Sequence, residues 1–325
     1  MTWTKLHARL HQTCRQKQLL PQGDRLLVAV SGGQDSLTLL KLLLDLQPKW
    51  QWQIIVAHCD HNWSTDAGIA DRVAQVAQDW HLPFYLKKAE NLAETEAAAR
   101  KWRYEALIDL AQVQKCSLVV TGHTESDRAE TLLYNLIRGA GADGLQALTW
   151  RRNLTPEITL VRPLLNVSRS ETGTFAQQLQ LPVWEDVVNT QLQYARNRLR
   201  LEVIPYLQKH FNPKVESAFA QTAELLQADV AYLETTATQI RQQAQRLQPP
   251  GLNRHLVQPY PLALRRRVVR QFMQDTLNFA PNFEQINAVV ALLAAPNRSQ
   301  SSTFPGGAIA TVQKEWIIWT TSNPD

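Results

Sequence analysis

The apolar run Leu26-Leu27-Val28-Ala29-Val30 passes directly into Ser31-Gly32-Gly33-Gln34-Asp35-Ser36, and that stretch into a leucine-rich run from Leu37 to Leu46. A short β-prone run, a pair of glycines and a long apolar stretch read as a buried strand, a tight turn and a helix. The same order recurs. Strand patterns at Ile54-Ile55-Val56-Ala57, Phe84-Tyr85-Leu86 and Leu118-Val119-Val120 are followed by helical patterns over about 66–80, 94–112 and 126–137. This alternation predicts an α/β fold, a parallel sheet with helices on both faces. Ligands in such folds sit beyond the carboxyl ends of the strands, so the segments that follow each strand are where a site is expected.

The turn at 31–36 suits an anion. Paired glycines let the backbone approach closely, successive N–H groups form a nest, and the helix N-terminus behind them adds partial positive charge. The stretch lacks the lysine and the wider glycine spacing of a Walker loop and carries Asp35 instead. A carboxylate beside a polyphosphate is useful if it holds Mg²⁺, which neutralises both. The bland alternative is a glycine turn capped by Ser31 or Ser36.

Three further clusters fall at strand ends. His58-Cys59-Asp60-His61 can wall a ribose or adenine, close a loop, or, less well for want of a distant ligand, hold zinc. In Thr121-Gly122-His123-Thr124-Glu125-Ser126-Asp127-Arg128-Ala129-Glu130, Asp127 and Glu130 share one face of a first helical turn. Acids there complement the helix dipole without any chemistry, and two clustered carboxylates can also bind Mg²⁺ or a substrate ammonium. Arg196, Arg198 and Arg200, at every second position, are by default a solvated face; beside a nucleotide site, arginines clamp phosphates. Arg138-Gly139-Ala140-Gly141 reads as a mobile loop, and Ser168-x-x-Glu171 as a capping box opening a helix to about residue 181.

With 325 residues, about two domains are expected. Cys14, Cys59 and Cys116 are too few and too scattered for a disulfide framework or a Cys-x-x-Cys metal site, which points to a reducing, cytoplasmic setting. No long apolar run suggests a membrane span. The first 23 residues hold bases and no acid, yet they lack a signal-peptide apolar core, and Trp3, Leu6 and Leu10 fall on one helical face. A leading helix packed on the core is expected. Formal charge is +5 but uneven: residues 1–150 carry 16 bases and 16 acids, whereas 151–200 carry 7 and 4. A polyanionic partner would meet the later part of the chain.

Beyond Phe211-Asn212-Pro213 apolar residues recur at three- and four-residue spacing from Val215 to Leu247, marking one long amphipathic helix that Pro249-Pro250-Gly251 ends. Two shorter helices are expected near 262–277 and 283–293, and a short β segment at the end. Between Thr235 and Gln274 stand seven arginines and no Asp, Glu or Lys. Arg265, Arg266, Arg267 and Arg270 of this self-repelling stretch are candidates for phosphate contacts with RNA. The division read from the sequence is a catalytic domain over 1–205 and a smaller, mainly helical domain over 206–325.

The motif Ser31–Ser36 resembles the pyrophosphate loop of the N-type ATP pyrophosphatases, which cleave ATP between its α and β phosphates. Taken in order with His58-x-Asp60-His61, Ala99-Arg100-x-x-Arg103-Tyr104, Thr121-Gly122-His123, Asp127, Glu130-Thr131, Arg138-Gly139, Arg162-Pro163-Leu164-Leu165 and Arg196-Asn197-x-Leu199-Arg200, it resembles the tRNA(Ile)-lysidine synthetases. The resemblance covers roughly 24–206. It departs at Ser126, where the family usually has Asp, and at Ser64, where it usually has Arg. It implies a Rossmann-like catalytic fold, ATP and Mg²⁺ as cofactors, a CAU-anticodon tRNA(Ile) and L-lysine as partners, and ligation of lysine to C2 of the wobble cytidine through an adenylated intermediate. Residues 31–36, His58 and Asp60 would bind the nucleotide, Asp35 the metal, Asp127 and Glu130 the lysine amine, and Arg196 the charge on the adenylate. A homodimer is compatible with it. Two rivals stand beside it: a related enzyme that shares the loop, either a tRNA thiolase, which would call for cysteine pairs, or an ammonia-using amide ligase, which would call for a glutaminase domain; and a non-catalytic RNA-binding module.

Overall fold

The computed structural model describes residues 3–184, 192, 195–277 and 279–321. These form two compact units, Met1–Leu226 and Gln227–Asp325.

In the first unit α1 (Lys5–Gln16) precedes β1 (Arg25–Ala29), α2 (Gln34–Trp50), β2 (Gln53–Asp60), α3 (Ile69–Asp79), β3 (Phe84–Lys88), α4 (Glu96–Val113), β4 (Leu118–Thr121) and α5 (Glu125–Ile137). After the short α6 (Ala142–Leu145) come β5 (Arg151–Asn153), β6 (Thr159–Val161), α7 (Arg169–Gln178), α8 (Ala195–Arg198), a π segment (Leu199–Val203), α9 (Ile204–His210) and the 30-residue α10 (Val215–Ala244). The six strands lie in the order β3-β2-β1-β4-β6-β5. All neighbours are parallel except β5 and β6, whose antiparallel pairing of Arg151 with Val161 was not legible from residue types. On β1, Leu26 and Val28 face a core shared with α2, α3 and α7, while Leu27 joins Ile55, Val119, Leu107 and Leu110 on the opposite face. Alternate residues of a strand point to opposite faces, so both faces of the sheet are dry and helix-covered, as expected.

The chain runs outward from β1 through β2 to β3 and then returns to pair β4 on the other side of β1. The β1/β4 boundary is therefore the topological switch point, beyond whose strand ends ligands sit in open α/β sheets. The leading helix forms with Leu6 and Leu10 buried and Trp3 at 48% exposure. Leu133 and Tyr134 of α5 pack with Leu199, Ile204, Leu207, Val215 and Phe219, so α9 and the start of α10 belong with the first unit. The division between the two compact units falls at Leu226, inside a continuous helix.

In the second unit, α10 stops at Ala244, and β7 (Gln245–Leu247) and β8 (Pro250–Asn253) form a hairpin where the sequence suggested the end of a helix. They join β10 (Trp316–Thr321) and β9 (Ala308–Gln313) in an antiparallel sheet of order β7-β8-β10-β9. The remaining elements are α11 (Arg254–Val257), α12 (Leu262–Leu277) and α13 (Phe283–Leu292). Phe272, Met273, Val289, Leu252 and Ile317 lie in its core. The second unit is thus mainly helical, as expected, with a four-stranded sheet in place of the short terminal β segment.

Candidate active site

The turn after β1 has the geometry its glycines suggest. Gly32 adopts φ +85°, in the left-handed region, and its carbonyl accepts a hydrogen bond from the Trp184 N–H at 2.9 Å. Gly33 is the N-cap of α2 and makes no side-chain cap bond, which leaves the first N–H groups of that helix for another acceptor. The Ser36 hydroxyl bridges the Ser31 N–H at 3.2 Å and the Gly33 carbonyl at 3.0 Å, closing the loop on itself. Across the switch point Gly122, just past β4, comes so near that a Cβ there would lie 2.9 Å from the Asp35 carbonyl oxygen. Only glycine allows the two strand-end loops to meet.

Three carboxylates and two arginines gather around this meeting point. Asp35 accepts a short hydrogen bond from the Thr172 hydroxyl of α7, and its other oxygen lies 3.2 Å from the Arg169 guanidinium. Burial pushes its carboxyl pKa up; Arg169 and Thr172 oppose this, and the charge of Asp127 adds to it. Asp127 is the N3 residue of a capping box: its Oδ2 accepts from both the N–H and the hydroxyl of Thr124 at 2.8 Å. The helix-end role read from the sequence is therefore filled, and Oδ1 remains turned to Arg200 at 3.5 Å. Burial pushes the Asp127 carboxyl up, but His123, the Thr124 N–H and Arg200 outweigh it and leave it lowered. Glu130, only 3% exposed, receives Arg200 through Nε at 2.6 Å and Nη2 at 2.9 Å. A substrate ammonium reaching Glu130 must displace that guanidinium. Burial raises the Glu130 pKa, with Arg200 opposing.

His58 is buried at the end of β2 and bonds the Val30 carbonyl through Nδ1 at 2.7 Å, directly behind the loop. Asp60 accepts from the Asn62 N–H at 2.7 Å. His58 thus adjoins the turn at 31–36, and both side chains have local hydrogen-bonding duties. Among the described residues no cluster of three His, Cys, Asp or Glu side chains could hold a metal by itself. Asp35 with Asp127 nearby, completed by phosphate oxygens, is nonetheless the sort of donor set Mg²⁺ accepts.

Arg196 lies apart from the carboxylates. It pairs with Glu96 at 3.3 Å and lines a cavity of about 530 Å³ together with Arg100, Arg152, Arg162 and Thr131. Arg162 is 1% exposed and donates to the Thr149 carbonyl at 2.7 Å, while its Nε has no hydrogen-bond partner among the described residues. Arg100 and Arg152 stack on Tyr104 with ring-centroid distances of 5.5 and 4.7 Å. Thr131 follows Glu130 in α5, so this basic cavity adjoins the carboxylate cluster. Arg138-Gly139-Ala140-Gly141 leads into α6, where Asn135 holds the Gly144 carbonyl at 2.8 Å, so this stretch is tied down at its far end.

Sequence reasoning did not assign Arg169, Thr172 or Arg200 to the site. Arg200 stood within a quoted motif and was the recoverable one; Arg169 and Thr172 lie in a capping sequence that gives no sign of Asp35. In the second unit the arginines are not a self-repelling stretch, which corrects that expectation. Arg267 and Arg270 meet Glu234 at 2.9 and 2.5 Å, Arg241 pairs with Asp275, and Arg266 bonds Asn287 at 2.9 Å. Both acids lie just outside the window in which no acid occurs. Arg265, Arg266, Arg267 and Arg270 are all partly buried.

Residues 3–207 match the family of PP-loop domains. The tRNA(Ile)-lysidine synthase of Nostoc sp. is 57% identical, covering 98% of this chain and 97% of its own. That of Synechocystis sp. is 54% identical over 98% of both chains, and the chloroplastic enzyme of Zygnema circumcarinatum is 32% identical, over 90% of this chain and 80% of its own. Among solved structures, the U34-tRNA thiolase NcsA of Methanococcus maripaludis superposes with a TM-score of 0.59 at 16% identity, over 68% of this chain and 78% of its own, a likeness of fold alone. No described helix is long and apolar enough to cross a membrane. The glycine turn at the β1/β4 switch point and end-to-end identity above one half agree: the chain belongs to the tRNA(Ile)-lysidine synthase family of PP-loop proteins.

Proposed function

We propose that this protein joins L-lysine to C2 of the wobble cytidine of a CAU-anticodon tRNA(Ile) at the expense of ATP, releasing AMP and diphosphate. The observation that carries the reading is the placement of Asp35, Asp127 and Glu130, with Arg169 and Arg200, at the switch point beside a glycine turn with open N–H groups.

The cytosine O2 is a poor leaving group, so it first attacks the α-phosphorus of ATP; the α–β bridging bond breaks and diphosphate departs into the 31–36 turn. The lysine ε-nitrogen then attacks C2, the C2–O bond breaks, and AMP leaves with that oxygen. The ε-ammonium, with an ordinary pKa near 10.4, must shed a proton before it attacks. Glu130, whose pKa burial raises, is the better acceptor of the two helix carboxylates, and Asp127 the better partner for the cation. Asp35 would hold Mg²⁺ in exchange for Arg169, and the ion would neutralise charge on the departing diphosphate. His58 and Asp60, at the end of β2, would wall the nucleoside of ATP. Arg196, with Arg100 and Arg162, gives the adjoining cavity the positive charge that an adenylate or an RNA phosphate needs. Arg265, Arg266, Arg267 and Arg270 are proposed as backbone contacts for the RNA, with Arg267 and Arg270 weakened by Glu234.

The deciding experiment follows AMP release from ATP with lysine and a tRNA(Ile) transcript, each omitted in turn, and measures the mass of the nucleoside at the wobble position. Release that needs both, with the mass gain of one lysine less one water, is expected. Transfer of sulfur, or RNA binding without AMP release, would favour the rival readings.

A further inference from the structure

The segment that supplies Arg200 has a second face. From Ala195 to His210 the chain is helical throughout, with a π segment at Leu199–Val203. Such segments often accompany functional sites. Its inner side packs Leu199, Ile204 and Leu207 against α5 and delivers Arg200 to Glu130. On the outer side Tyr206 is 57% exposed and Phe211 73% exposed. The Tyr206 ring lies 4.5 Å from the His210 ring and 6.1 Å from the Phe211 ring. Single exposed apolar residues are ordinary, but three rings gathered in little more than one helical turn are a surface.

The exposed charges of the segment narrow the choice of partner. Arg198 and Lys209 are exposed on the helical stretch and Lys214 just beyond it, three cations against the one exposed acid Glu202, four residues before Tyr206. Protein interfaces favour aromatic residues and are depleted in lysine, whereas proteins that hold single-stranded nucleic acid combine aromatic rings with lysine and arginine. Tyr206 lies six positions after Arg200, roughly 9 Å along a helix, or about three bases at ~3.4 Å per base.

We propose that Tyr206, His210 and Phe211 form a stacking platform for unpaired bases next to the nucleotide that is modified. The proposal rests on the ligase reading above and adds a subsite to it: the catalytic cluster takes the target base, and the outer face of the same segment takes its neighbours. Stacking is indifferent to base identity, so the platform would set register and residence time, leaving sequence choice to other contacts.

The test uses the full chain with a Tyr206→Ala, Phe211→Ala double variant and a Tyr206→Phe variant. Binding is measured by filter retention with a CAU-anticodon tRNA(Ile) transcript and with the same RNA made abasic on both sides of the wobble nucleotide. Both side chains are exposed, so the variants should fold, as circular dichroism would check. The expected result is a Kd raised at least about tenfold for the double variant on intact RNA, an unchanged salt slope, little change for Tyr206→Phe, and no added loss on abasic RNA. An unchanged Kd on intact RNA, or an equal loss on both RNAs, would overturn the platform. So would a change in sedimentation mass of the double variant that accounts for the binding loss, since the rings would then join two copies. Lysine-dependent AMP release by the parent protein on the same RNA is recorded in parallel; its absence would sink the ligase reading, while the binding arms still decide the platform.

Discussion

Replacing Arg200 with methionine keeps most of its volume and deletes the cation between Glu130 and Asp127. Glu130 is 3% exposed and has Arg200 on both oxygens, at 2.6 and 2.9 Å, so the variant leaves a carboxylate in a dry site without its counter-ion. Removing one partner of a buried pair costs about 3–5 kcal/mol. Arg200 and Asp127 are 22% and 23% exposed, so water screens part of the loss and the lower end, about 3 kcal/mol, is expected at pH 8. For a unit of this size that lowers Tm by roughly 6–12 °C. The deficit must depend on pH. Folded Glu130 already has a raised pKa, so native protein binds its proton more readily than unfolded chain, and stability falls as pH rises from the unfolded value through the folded one. Deleting Arg200 pushes the folded pKa higher, and it also lifts that of Asp127, which Arg200 helps to hold down. Protonated carboxylates do not miss the arginine. Thermal unfolding of parent and variant between pH 5 and 8 should therefore show the gap widening with pH. A gap that is constant across that range, or absent at pH 8, would refute the assignment of this pair as a buried ionic contact.

Other substitutions separate the proposed roles. Asp35→Asn removes the charge that Arg169 meets and that Mg²⁺ would use; AMP release should fall at least a hundredfold while the tRNA Kd changes less than threefold, and normal release would reject the role. Glu130→Gln should raise the KM for lysine or stall the reaction after adenylation; a lowered Tm with unchanged lysine dependence would leave Glu130 as the anchor of Arg200 only. Gly122→Ala places a methyl group about 2.9 Å from the Asp35 carbonyl oxygen, so it should lower kcat for AMP release, and retained parent kinetics would show that the two loops can part. Arg266→Ala with Arg270→Ala should weaken tRNA binding and flatten its salt dependence by at most about one unit, because Glu234 already engages Arg270; identical binding curves at low and high salt would remove these arginines from the RNA contact.

What the residues alone determined is local. A glycine pair between a β-prone run and a leucine-rich run specifies a strand, a turn and a helix N-terminus, because backbone freedom and apolar period act within a few residues. The Ser168-x-x-Glu171 cap formed as read, and so did the strand-helix alternation that implies a covered parallel sheet. Asp127 was legible both as a helix-end acid and as a site candidate, since a first-turn carboxylate answers the same dipole in either role. The tertiary structure decided which charges meet. Arg200 reaches Glu130 across 70 residues, and Thr172 reaches Asp35 across 137, because α7 and the helix after it close over the switch point. Glu234 and Asp275 quench arginines that look unopposed along the chain, because side-chain neighbours on packed helices are set by docking rather than by sequence distance. The hairpin at Gln245–Asn253 exists because β10, more than 60 residues later, supplies its hydrogen-bonding edge. A strand draws its stability from a partner that local sequence does not name.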